Sequence, residues 1–180
     1  DSSTSAYRDR RYLLFIFLVA LYGTCFFQIF ASIPQYFSKI CHYNEDVIGL
    51  LMALNGLLVV LIEMPLILKL EKSKKIFHFI IVGTFLLPLC FLMLQYGKGW
   101  MIWAIFYTVT ITLSEIFAMP FMMNYALSRP PKERQGQYSA LYSISFGIAN
   151  IAAPVIGLGI ANQYGFDSMF SLLIALSTLT

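Results

Sequence analysis

The sequence predicts an all-α membrane protein, and three observations carry that prediction. Hydrophobic residues fill 59% of the 180 positions and charged ones 12%, against about 25% charged in a soluble domain. Mean hydropathy is +0.75, and apolar runs long enough to cross a bilayer, about 20 residues each, recur along the chain. Lys and Arg gather in alternate turns rather than on one face, which disfavours nucleic acid as a partner.

Residues 1–11 are polar and carry Arg8, Arg10 and Arg11, a linker that leads to a membrane surface. Residues 12–37 form the first predicted span, with Pro34 near its far end. Its polar residues Thr24, Gln28, Ser32 and Gln35 recur every three or four positions and so make one stripe. Residues 47–70 form the second span, which carries Asn55, Glu63 and Pro65, and Lys69, Lys72, Lys74 and Lys75 mark the basic turn after it. Residues 76–95, with no ionisable group after His78, are the least polar span and are expected to face lipid.

Trp100 and Trp103 suit an interfacial belt at the start of the fourth span, residues 100–127. The fifth covers residues 137–161. A sixth runs from 166 to 180 and stops inside an apolar run, so it is expected to be truncated. Of the 12 Lys and Arg residues, only Lys39 and Lys98 fall on the side opposite Arg8, Arg10, Arg11, Lys69, Lys72, Lys74, Lys75, Arg129, Lys132 and Arg134. The positive-inside rule places the basic side in the cytoplasm.

Glu115 is the candidate around which function is built. A charged group at mid-bilayer costs roughly 2.5–3.5 kcal/mol on insertion scales and marks a functional site by default. No Lys or Arg lies one turn away on its helix, and an unpaired, desolvated carboxyl favours its neutral form. Proton exchange or substrate contact is one reading; a protonated acid that only locks helix packing is the other. Thr108 and Thr112 continue its face. Asn55, Gln28 and Asn150 lie near mid-depth, and Tyr22 and Tyr142 add to the wall of a shared substrate cavity. Glu63 reads as structural or gating.

The fifth span has two faces. Ser139, Ser143, Gly147, Asn150 and Pro154 make a polar one; Ala149, Ala153, Gly157 and Ala161 make a small-residue ridge suited to close helix packing. Pro120, Pro154, Gly157 and Gly159 are the packing and bending positions. No HExxH, no GxxxxGK[ST] and no pair of intramembrane aspartates is present, which argues against an enzyme. No metal site and no cofactor are expected, and Cys25, Cys41 and Cys90 have no metal or redox spacing.

The ordered landmarks resemble the C-terminal six-helix half of a major facilitator superfamily transporter. IGLLMALNGLLVVLIEMPLILKLEKSKK (residues 48–75) is similar to that family's eighth helix and following turn, with Glu71, Lys72 and Lys75 in the places of a cytoplasmic motif whose glycine is missing. SEIFAMPFMMNYALSRPPKERQGQYSALY (residues 114–142) resembles the tenth helix and its loop, with Glu115 and Pro120 in the family's positions and Ser114 replacing a glycine. APVIGLG (residues 153–159) resembles the eleventh.

The resemblance implies alternating access by a secondary transporter, with the first, second, fourth and fifth helices lining a cavity and the third and sixth peripheral. Its texture is that of the drug/proton antiporter branch, which implies proton coupling and efflux of amphipathic compounds from a bacterial cytoplasmic (inner) membrane. The peptide/proton symporters share a similar tenth helix. The expected partners are the lipid bilayer, a small-molecule substrate, protons and an N-terminal six-helix half. A non-transporting scaffold or receptor-like bundle, in which buried polar groups only fix packing, is the rival from another class.

Overall fold

A computed structural model describes residues 5–70 and 76–180. Among the described residues eight α-helices follow one another: α1 (Arg10–Phe26), α2 (Ser32–Lys39), α3 (Glu45–Leu58), α4 (Met64–Leu70), α5 (Ile76–Gly97), α6 (Met101–Ser128), α7 (Gln135–Tyr164) and α8 (Phe166–Ser177). They combine into five segments long and apolar enough to cross a membrane, Arg10–Lys39, Glu45–Lys69, Ile76–Gly97, Met101–Ser128 and Lys132–Tyr164. The sixth segment, Phe166–Ser177, is a shorter apolar helix of 12 residues. An integral membrane protein of all-helical class results.

The first two spans are not continuous α-helices, and proline accounts for both departures. A proline ring clashes with the carbonyl four residues before it. Pro34 therefore opposes α-helix through Phe30; the chain turns as a 3-10 segment over Phe27–Ile29 and restarts at Ser32. In α2 Pro34 occupies the first turn, where a missing N–H leaves nothing unsatisfied. Pro65 acts in the same way on Leu61, and there the chain widens into a π-helical turn over Val59–Glu63. Such turns keep a span unbroken while rotating the side chains on either side of it, and they recur at functional sites.

Helix association here rests on close approach rather than on apolar burial alone, because lipid tails are as apolar as leucine. A Cβ on Gly83 of α5 would lie 2.6 Å from the backbone nitrogen of Ala118 on α6, so those two helices run together at nearly backbone contact. One side of α5 is thus core, with Leu87, Cys90 and Phe91 fully buried. Lipid exposure is confined to the other, where Ile81 and Phe85 stand out.

The ridge of α7 meets α1 in the same way. Ala149, Ala153 and Gly157 are buried, and a Cβ on Gly23 of α1 would come within 2.8 Å of the Ala149 methyl. Gly165 turns α7 into α8 at φ 86, a conformation glycine adopts without steric cost.

One end of the bundle is tied together by an ion pair. Asp9 caps α1, accepting from the Tyr12 N–H at 3.1 Å. Arg129, just past α6, donates to both its carboxylate oxygens, at 2.8 and 2.9 Å. Tyr138 of α7 adds a hydroxyl at 3.2 Å, and Tyr12 donates to the Tyr138 carbonyl at 2.6 Å. The basic N-terminal segment and the basic α6–α7 turn are thereby at the same end. At the other end Tyr43 donates to the Gly99 carbonyl at 2.7 Å, joining the turns that carry Lys39 and Lys98.

The Arg129 hydrogen bonds hold the Asp9 carboxyl down at about 2, against an ordinary 3.8, and raise Arg129 in turn. Because the folded value is depressed, the ion pair stabilises fully above pH 4 and is lost as pH falls from there toward 2. Partly exposed and screened by solvent, such a pair is worth about 1 kcal/mol. Asp9→Asn is expected to lower the thermal midpoint at pH 7 and to leave it nearly unchanged at pH 2; an equal deficit at both values would remove the ion pair as its cause.

Candidate functional site

Three of the intramembrane polar residues meet between α3 and α6. Asn55, buried on α3, donates from Nδ2 to Thr112 Oγ1 at 2.9 Å and to Glu115 Oε2 at 3.3 Å. Thr112 passes its own proton to the Thr108 carbonyl one turn back, at 2.6 Å, so its oxygen is free to accept from Asn55. The spacing of Thr108, Thr112 and Glu115 puts all three on one side of α6, and Asn55 lies opposite because α3 packs along that side. Glu115 is half-buried, whereas Thr112 is fully so.

Among the described residues the ion pair within 4 Å is Arg129 with Asp9, so no cation stands beside Glu115. A second acid, Glu63, ends the π-helical turn that follows Asn55 on the same span. An acid that accepts from an amide, with no cation beside it among the described residues, can take up and release a proton.

The other expected wall residues go elsewhere. Gln28 is completely buried between α1 and α7. It donates to the carbonyls of Thr24 (3.2 Å) and Ala153 (2.9 Å) and accepts from Ser32 at 2.6 Å. Those bonds use both its amide hydrogens, and the small-residue ridge of α7 closes over it. Tyr22 is also fully buried, 3.0 Å from Ser114 Oγ. Since Ser114 donates its proton to the Gly83 carbonyl at 2.6 Å, Tyr22 is the donor of that pair.

Tyr142 is half-buried and donates to the Met119 carbonyl at 3.3 Å. Asn150 is exposed, beside a hollow of about 310 Å³ formed with Phe27, Phe30, Ala31 and Pro154. The expectation of one polar wall running from Gln28 through Asn150 is therefore corrected to a three-residue cluster and four separate positions, those of Gln28, Tyr22, Tyr142 and Asn150. A polar side chain inside an apolar helix meets its hydrogen-bonding demand at the nearest available partner, and for Gln28 that partner is α7.

Pro120 and Pro154 lie inside α6 and α7, which continue through them. Gly157 is buried, and a Cβ there would collide with Gln28 Oε1 and Ser32 Oγ. Gly159 has open space beside it, so no close helix contact requires a glycine there. Glu71, Lys72 and Lys75 lie outside the described residues.

Sequence reasoning passed over Asp9 and gave Ser114 no role. Asp9 sits among arginines in a segment read as linker; its place directly before an apolar helix is an N-cap signal. Ser114 stood out as a departure from a glycine, and its hydroxyl is where α1, α5 and α6 are joined.

A profile of the Major Facilitator Superfamily matches residues 2–154, and the chain belongs to that family. Its coarse function follows: membrane transport of a small solute. No curated protein and no solved structure matches the chain.

Proposed function

We propose that the chain is the C-terminal half of a proton-coupled secondary transporter, with Glu115 as the proton-exchanging group. The observation that carries this reading is the hydrogen bond from Asn55 to a half-buried Glu115 that has no cation beside it among the described residues. Water reaching the site lets the carboxyl exchange a proton. Asn55 satisfies the carboxylate in one state and the carbonyl oxygen of the neutral acid in the other. Glu63 gates access, because the π-helical turn that it ends is the deformable point of its span.

Tyr142 and the exposed polar face of α7 around Asn150 complete the cavity toward an N-terminal half, and the two halves rock about it in alternating access. The basic turns face the cytoplasm by the charge rule. Exposed aromatic and aliphatic side chains around that face, Phe30 and Ile151 among them, favour an amphipathic cargo of the drug/proton antiporter kind.

The test is solute flux by the full-length protein in liposomes under an imposed pH gradient. Accumulation that follows the gradient and collapses with a protonophore is the expected result. Accumulation indifferent to the gradient overturns proton coupling.

A further inference from the structure

At the end of the bundle away from Asp9 and Arg129, a cavity of about 370 Å³ opens between the end of α2, the end of α5 and the start of α8. It is lined by Tyr36, Ile40, Gln95, Lys98, Phe166 and Asp167. That volume is in the range of small-molecule sites. Of its neutral polar groups, the Tyr36 hydroxyl donates to the Leu94 carbonyl and Gln95 donates one amide hydrogen to Ser171 Oγ at 3.0 Å. The charged groups that the cavity offers a ligand are one cation, Lys98, and one anion, Asp167, both exposed and not paired with each other.

Two further features place the cavity at the membrane boundary. Tyr96, Trp100 and Tyr164 stand exposed immediately beside the turns that carry Lys98 and Asp167, as side chains of an interfacial belt do. Lys98 itself adopts φ 43, a left-handed conformation that a non-glycine residue takes up only at a steric cost, so the turn holds a long cation where glycine would be easier.

We propose that this cavity binds the headgroup of an ethanolamine phospholipid from the adjoining leaflet. Such a headgroup carries a phosphate and, two carbons away, a primary ammonium. Lys98 donates to the phosphate, and the ammonium donates its N–H groups to Asp167, both as charge-assisted hydrogen bonds. Ile40 and Phe166 meet the glycerol and the start of the acyl chains. A choline headgroup has no N–H to give Asp167, and a glycerol headgroup brings the same phosphate to Lys98 but no cation for Asp167. The site is distinct from the cluster around Glu115 and does not depend on the transport reading.

The experiment is native mass spectrometry of the full-length protein given an equal mixture of ethanolamine, choline and glycerol phospholipids with identical acyl chains. Ethanolamine lipid is expected to be retained about five-fold over glycerol lipid, the discrimination a partly exposed charge pair supplies. In Asp167→Asn that ratio should fall to about one, and in Lys98→Gln retention of all three should drop together. Because each figure is a ratio within one sample, partial misfolding of a variant does not mimic it. A ratio unchanged by Asp167→Asn overturns the proposal. Displacement of the lipid by soluble glycerophosphoethanolamine at equal concentration also overturns it, by making the site one for a free solute.

Discussion

Glu115→Gln is expected to abolish proton-driven accumulation of solute while leaving the protein folded. Glutamine keeps the length of the side chain and an oxygen that accepts from Asn55 Nδ2, now 3.3 Å away, so the α3–α6 contact survives. It cannot exchange a proton in the accessible pH range, and loss of a positioned acid–base group costs on the order of 100-fold or more in rate. Exchange of labelled solute at equal concentration on both sides requires no net proton movement, so it should continue in the variant. That split, uphill transport lost and exchange retained, separates a coupling role from a binding role. Loss of both would move Glu115 into the solute site, and full uphill activity would remove it from the mechanism. Glu63→Gln serves as the comparison: it ends the π-helical turn without a hydrogen bond to Asn55, and a gating role predicts a slower rate with the dependence on the pH gradient intact.

The spans were legible because hydropathy averages over some twenty residues, and an error at any one position is lost in the mean. The breaks within them were less so. Pro34 and Pro65 are visible in the sequence, but whether a proline yields a 3-10 turn, a π turn or a bend depends on which neighbouring helices hold the flanking residues. Of the site, Glu115 was legible as a costly charge at mid-span, and Thr112 as its neighbour on the same side of α6. Asn55 was legible as a polar residue of similar depth, but its pairing with Glu115 depends on the rotation of α3, which the π turn alters. Gln28 shows the limit most plainly. An amide in an apolar helix reads equally well as a cavity residue or as a bond to the next helix, and only the approach of Ala153 and Gly157 decides between them.

That approach yields the other large prediction, Gly157→Leu against Gly159→Leu. The two glycines are two residues apart on α7, so they point to different sides of it and share the same intrinsic helix propensity change. At position 157 even a Cβ would strike the Gln28 and Ser32 oxygens, and Gln28 cannot swing away without giving up its 2.9 Å bond to the Ala153 carbonyl. Overpacking a tight interface costs about 1–3 kcal/mol, and a buried amide left without its partner about 1–3 kcal/mol more. The α1–α7 contact should therefore lose on the order of 3 kcal/mol, enough to leave most of the protein aggregated on extraction from the membrane. Position 159 has open space, and replacing a helical glycine there is neutral or favourable by up to about 1 kcal/mol. Fluorescence-detected size-exclusion chromatography after a temperature ramp reads both variants, and equal midpoints would mean that α7 does not pack on α1 through its small-residue ridge. Gln28→Ala in the Gly157→Ala background then tests the cause: if the collision with the amide is what destabilises, removing the amide should recover part of the loss, whereas a clash with the α1 backbone would leave the double variant no better than the single one.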